Sequence, residues 1–249
     1  MIETLLNHVS IRKYRNEPIP ESLLKEILEA GIRASTTGNM QVYSIVVTQD
    51  PARKEELAPC HFNQPMVRQA PVLLTFCADF NRFNRWCGQR KAEPGYDNFL
   101  SFFTAAIDAL LVAQNVCIAA ESKGLGICYL GTTTYMAGNI IDILRLPEGV
   151  VPVTAVTLGY PDGVPERTDR LPLEAVVHPE VYQDYPAERI DALYHTKETI
   201  AENQAFVKEN NKETLAQVFT DIRYKKADNV LFSKSLLDVL ARQGFMNHP

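Results

Sequence analysis

The chain has 249 residues, enough for one large domain or two small ones, and its 46% hydrophobic and 22% charged residues suit an ordinary globular protein. Lysine and arginine number 25 against 30 acidic residues, and no dense basic stretch occurs. That balance speaks against a nucleic-acid partner, which needs a positive surface. The five cysteines (Cys60, Cys77, Cys87, Cys117 and Cys128) contain no C-x-x-C pair and are odd in number. They predict reduced, mostly buried thiols rather than a disulfide framework. Cys60-His61 lacks further ligands at zinc-like spacing, so no metal site is expected.

Met1-Ile2-Glu3-Thr4 has neither a basic region nor an apolar run, so no secretory signal is expected. The stretch from Asn7 to Tyr14 then places His8, Ser10 and Arg12 at alternate positions. On an extended backbone these three side chains point to one side, and Val9 and Ile11 point to the other. An imidazole, a hydroxyl and a guanidinium fork together suit phosphate oxygens. The same alternation also fits an N-terminal strand that merely has a polar face.

Pro20-Glu21-Ser22 opens a helix with Leu24, Ile27, Leu28 and Ile32 at helical spacing. Ser35 to Gln41 reads as a turn-rich loop, Val42 to Thr48 as a strand, and Asp50-Pro51 as the start of a short helix through Leu57. Ala70 to Cys77 is a continuously apolar strand, the pattern of burial on both faces. Asn81 to Asp97, polar and aromatic without a strong period, reads as a loop or a mobile helix. Asn98 to Lys123 is one long helix, apolar on nearly every side, closed by Gly124 as a left-handed cap. Ser101, Asp108, Gln114 and Asn115 interrupt it, so no stretch of bilayer length is expected, and the protein should be soluble and cytoplasmic. Asp108 reads as a core acid paired with an arginine.

Leu125 to Gly131 and Val151 to Gly159 are two further strands, separated by a helix from Asn139 to Leu146 that Pro147 ends. Pro161 to Pro172 is a loop carrying Arg167 and Arg170. From residue 187 the chain turns charged and helical, which divides it into a core over residues 1–186 and a helical extension over 187–249. No G-x-G-x-x-G follows a strand, and no P-loop or G-x-S-x-G elbow is present, so a nicotinamide cofactor would have to bind without a Rossmann fold.

An ordered set of segments resembles the nitroreductase family of flavoproteins, closest to its NADPH-dependent nitroreductase and flavin reductase branch. They are His8 to Tyr14, Glu17-Pro18-Ile19-Pro20, Ala34 to Gln41, Asn63-Gln64 and Phe76-Cys77-Ala78-Asp79. Gly124 to Gly131, Gly159-Tyr160-Pro161, Arg170-Leu171-Pro172, Tyr224-Lys225-Lys226 and Arg242-Gln243-Gly244-Phe245 continue it, so that it covers essentially the whole chain. The resemblance implies an α+β fold, with a central mixed sheet flanked by helices, and a homodimer sharing two active sites. It also implies FMN as cofactor and NADPH or NADH as electron donor. His8, Ser10, Arg12 and Arg170 match the phosphate-side residues. Ser35, Thr36 and Gln41 match the ribityl and pyrimidine side, and Gln64 a ring-binding glutamine. Tyr129-Leu130-Gly131-Thr132 stands where the family has Tyr-Ile-Gly-Gly, with Thr132 in place of the second glycine. Met66 stands where a tyrosine is expected. Arg82, Arg85, Arg90 and Arg167 are all candidates for a 2′-phosphate.

The function so implied is FMN-dependent reduction of nitroaromatic, quinone or flavin acceptors, by ping-pong hydride transfer through flavin N5. Two alternatives stay open: a flavin-binding module without turnover, and a flavoprotein with a specific substrate, such as a dehalogenase, using Asn81 to Asp97 as its lid.

Overall fold

A computed structural model describes residues 2–248. Two compact units divide the chain: residues 1–166 with 232–249, and residues 167–231. The first contains β1 (Tyr43–Thr48), β2 (Val72–Asp79), β3 (Gly126–Leu130) and β4 (Val150–Gly159). Helices α1 (Ile2–Leu6), α2 (Glu21–Gly31), α3 (Pro51–Leu57), α4 (Pro65–Gln69), α5 (Asn81–Gln89), α6 (Phe99–Ser122) and α7 (Ala137–Leu144) surround them. The second unit holds α8 (Ala187–Thr199), α9 (Ala201–Glu209) and the single turn α10 (Leu215–Gln217), while α11 (Lys226–Arg242) runs across the chain boundary at 231.

The four strands form one sheet in the order β1-β2-β4-β3, and every pair of named strands is antiparallel. Its mixed character comes from a single parallel bridge, between Ser10 and Ile127 on β3. All eight residues of β2 are buried, as its unbroken apolar run predicted. One face of the sheet is covered by α2 and α6, with Ala109, Val112, Ala113, Val116 and Ala120 of α6 against Leu74, Phe76, Val156 and Leu158. The small alanines let this helix lie close to the strands. On the other face, Leu57, Met66, Val67 and Ile140 from the α3, α4 and α7 region join Ile11 and Tyr14 over Leu73, Cys128, Leu130 and Ala155.

Local signals set most boundaries. Asp50 accepts hydrogen bonds from the Ala52 and Arg53 amides and so caps α3, whose first residue is Pro51. Asn98 caps α6 through the Ser101 amide, and Gly124, at φ +79°, ends the turn beyond it. Of the two forms left open for the segment at 81–97, Asn81 to Gln89 takes the helix, seated by the Phe80–Tyr96 stack at 4.8 Å and by buried Cys87. One expectation needs correction. Helix α6, at 24 residues and a mean hydropathy of 1.7, is also long and apolar enough to cross a membrane, despite its polar residues. Half of that stretch is buried among the strands and α2, as in the core helix of a globular protein. All five cysteines are free and buried, as their scatter predicted.

Within the second unit, Lys197 pairs with Asp169 and Lys212 with Asp221, both at 2.8 Å. Thr214 and Gln217 form a reciprocal capping box, and the Arg223 guanidinium lies 4.5 Å from the Phe206 ring centroid.

Candidate active site

The segment from His8 to Tyr14 is extended and tied down at both ends. Ser10 bridges to Ile127 of β3, and Tyr14 to Pro161 beyond β4. The Ile11 amide donates to Ile127 O at 2.8 Å, and the Tyr14 hydroxyl donates to Ile11 O at 2.7 Å. Burial raises the Tyr14 phenol, so it stays a neutral donor. Ile11 and Tyr14 enter the core while Arg12 and Lys13 are exposed, and His8, Val9 and Ser10 are all half-buried, so burial along the segment does not follow a strict alternation of faces. Gly126 makes this docking feasible: a Cβ there would sit 2.5 Å from Ile11 Cγ1. The Arg12 charge is felt at Cys128, where it offsets part of the rise that burial imposes on the thiol.

His8 has a partner that the sequence did not announce. Its Nδ1 lies 2.6 Å from Glu121 Oε1 in the last turn of α6. An ionised carboxylate only accepts, so Nδ1 carries the proton and Nε2 is the ring atom left for a ligand. Asp108 pairs with Thr37 and not with an arginine. It is 1% exposed, and its Oδ1 accepts from the Thr37 amide at 2.9 Å and the Thr37 hydroxyl at 3.1 Å. Its Oδ2 is buried and has no partner among the described residues.

Asp108 thus holds one end of the loop carrying Ser35, Thr36 and Gln41. Arg82 holds the other, donating from Nη2 to the carbonyls of Gln41 and Tyr43. Between these anchors Gly38, Asn39 and Gln41 all adopt positive φ, near 55°. For the two non-glycine residues that conformation costs about 1 kcal/mol each, so the clamps hold a shape the free loop would leave. Ser35 is exposed and Thr36 half-buried, and the Gln41 amide folds back toward Asn39. Arg82 is committed to this loop, and Arg85 donates to Asn81 Oδ1.

Gln64 is half-buried at the N-terminus of α4, and its side chain makes no hydrogen bond among the described residues. Met66 packs into the core, so no aromatic contact arises at that position. Just upstream, His61 Nδ1 lies 2.9 Å from Thr132 Oγ1, which joins this turn to the one after β3. In that second turn the Leu130 side chain is core, and the Tyr129 hydroxyl reaches back to Gln114 of α6 at 3.4 Å. What residues 129–132 offer a ligand is therefore mainly backbone. Gly131 is exposed, and a Cβ placed on it would meet nothing within 4 Å.

The structure therefore gathers three of the predicted groups around β3. Residues 8–12 run along it, residues 129–132 continue from its end, and the turn at 61–64 is fastened to that end. Helix α6 braces the whole, giving Glu121 to His8, Gln114 to Tyr129 and Asp108 to the 35–41 loop. Arg170 belongs to the second unit, where its Nη1 donates to Thr168 Oγ1 and Asp169 O, both at 2.9 Å. Sequence reading missed Glu121, His61 and the loop-clamping role of Arg82. Two of these are polar residues bordering apolar runs, the only signal they gave.

An open backbone strip at Gly131 thus lies at the end of the strand beside which the His8-Ser10-Arg12 segment runs, in an α+β fold. Residues 5–160 match the nitroreductase family model, and the chain belongs to the nitroreductase family. An FMN reductase (NADPH) of Bacillus subtilis is 35% identical over 183 residues, 73% of this chain and 74% of that protein. An oxygen-insensitive NADPH nitroreductase of Salmonella typhimurium is 36% identical over 182 residues, 73% and 74% of the two chains. A crystal structure of a protein from Bacteroides fragilis NCTC 9343 superposes with a TM-score of 0.97 at 57% identity, covering 98% of this chain and 100% of that one.

Proposed function

We propose that the protein is an FMN-dependent NAD(P)H oxidoreductase that reduces small electron-poor acceptors such as nitroaromatics, quinones or free flavin. The observation that carries this reading is the Ser10–Ile127 bridge. It sets the His8-Ser10-Arg12 segment on the strand that leads directly to the open backbone at Gly131. FMN, when bound, would supply hydride transfer between the nicotinamide and the second substrate. The residues present fit that group. Arg12 and Ser10 would supply donors for its phosphate, with His8 beside them on the same segment. Ser35, Thr36 and Gln41 would hold the ribityl chain and ring edge, Gln64 would offer both a donor and an acceptor, and residues 129–132 would supply a backbone surface for the ring. No side chain is required as general acid or base, in keeping with the absence of any triad.

In this reading the unit of function is a homodimer with two shared sites. Phe103, Ile107, Leu110 and Leu111 form an exposed apolar stripe along α6, at positions that fall on one helix face. A helix that buries one face in its own core and leaves such a stripe uncovered suits a subunit interface. The 187–249 region would serve as the extension of the 1–186 core, and the protein would work in the cytoplasm. A monomer by light scattering at micromolar concentration would remove the shared-site half of this proposal.

The test of the activity is direct. Purified protein should be yellow, NADPH or NADH should bleach it without oxygen, and an added quinone should restore the colour. Protein that takes up no FMN refutes the proposal. Yellow protein that neither nicotinamide bleaches would point instead to a binding module.

A further inference from the structure

His61 is 1% exposed, and it touches the candidate site through one polar contact, the 2.9 Å bond between Nδ1 and Thr132 Oγ1. Its Nε2 is enclosed and has no partner among the described residues. Burial pushes the imidazole down to about 4, so at neutral pH the ring is uncharged and carries one N–H. A proton on Nε2 would be an enclosed donor with no acceptor, the rarer and costlier defect, whereas a bare ring nitrogen is better tolerated. The proton therefore sits on Nδ1 and is donated to the threonine.

Thr132 Oγ1 then acts as the acceptor, and its own hydrogen has no acceptor among the described residues. Unlike Nε2, that hydrogen has somewhere to go. Thr132 retains 9% exposure beside Gly131, which faces open space. Further features hold the two turns in register. Phe62 and Asn63 have φ of 53° and 55°, and the Phe62 ring stacks on Tyr135 with centroids 6.4 Å apart. Thr132 also stands where the family pattern has glycine, so the hydroxyl belongs to this chain and not to the general pattern.

We propose that His61 is a positioning residue: by donating from Nδ1 to Thr132 Oγ1, it turns the threonine hydroxyl hydrogen outward as a fixed donor to the ring edge of the bound cofactor. This rests on the FMN reading above. A donor aimed at the ring's heteroatoms stabilises the electron-rich reduced ring more than the oxidised one. The pair therefore raises the reduction potential of the site.

The experiment compares holoprotein carrying Thr132→Val, His61→Leu, His61→Asn or both of the first two changes. Each is measured for FMN stoichiometry, midpoint potential and visible absorption of the bound flavin. Thr132→Val and His61→Leu should each move the potential in the negative direction, and the double variant should move no further than either alone. His61→Asn, whose amide N–H takes the place of Nδ1–H, should restore the wild-type potential and spectrum. Should His61→Leu fail to fold, Thr132→Val against Thr132→Ser and the His61→Asn rescue decide the matter. Flavin-loaded variants that keep the wild-type potential, additive shifts, or His61→Asn without rescue would overturn the positioning role alone. Wild-type protein that takes up no FMN would overturn the functional reading instead.

Discussion

The two sides of the candidate site are built by different means. The segment from residue 8 to 14 is held mainly by backbone: bridges at Ser10 and Tyr14 and the amide bond from Ile11 to Ile127. The other side, where the turn at 61–64 meets the turn at 129–132, is joined by side chains: the buried hydrogen bond between His61 and Thr132 and the Phe62–Tyr135 stack. A backbone-held wall tolerates most side-chain changes and fails when its spacing fails. A wall joined through a buried histidine responds to that side chain's charge state.

The largest expected effect tests that dependence. His61 titrates near 4 in the folded protein and near its ordinary 6.5 when unfolded. The unfolded chain therefore binds the extra proton first as pH falls. The stability in question is complete above pH 6.5 and is lost progressively down to about pH 4. The whole window is worth roughly 3 kcal/mol, since one pKa unit corresponds to about 1.4 kcal/mol. Chemical denaturation at several pH values should show this slope in the wild type and lose it in His61→Asn. An identical slope in both would place the acid sensitivity elsewhere.

On the backbone-held side, Arg12→Ala should weaken FMN binding by roughly 1.5–3 kcal/mol, as expected when a charge-assisted contact is lost. It should change the melting temperature little, because the side chain is exposed. Isothermal titration with FMN checks this, and unchanged affinity would cancel the phosphate assignment for Arg12. Gly126→Ala should do the reverse, since the added methyl collides with Ile11. Overpacking of this kind costs about 2 kcal/mol, read as a lower denaturation midpoint, with FMN affinity falling only because the segment lifts from β3. The smallest effect is chemical. Burial pushes Cys77 and Cys117 up to about 12, so a thiol reagent should label almost nothing in native protein and five sulfurs after denaturation. Rapid native labelling would show that the sheet opens readily around β2.

Much of the fold could be read in advance because its signals are local. The continuous apolar run of β2, the proline at the start of α3 and the glycine after α6 act within a turn or two of their own positions. The scatter of buried thiols belongs to the same class. The segment at 81–97 was harder, because Phe83, Trp86 and Cys87 give it an apolar face only about one turn long, which the Phe80–Tyr96 stack seats. The ordered motifs of the nitroreductase family carried the rest of the site prediction, residue by residue.

The long-range partnerships were a different matter. Composition and spacing marked Asp108 as a buried acid, but not that its partner is Thr37, 71 positions away. Nor did they join His8 to Glu121, or His61 to Thr132. Periodicity and capping are settled by neighbours along the chain, so they are written where they act. A buried polar group instead takes whichever partner the packing of helices and strands leaves within 3 Å, and only the folded structure makes that choice.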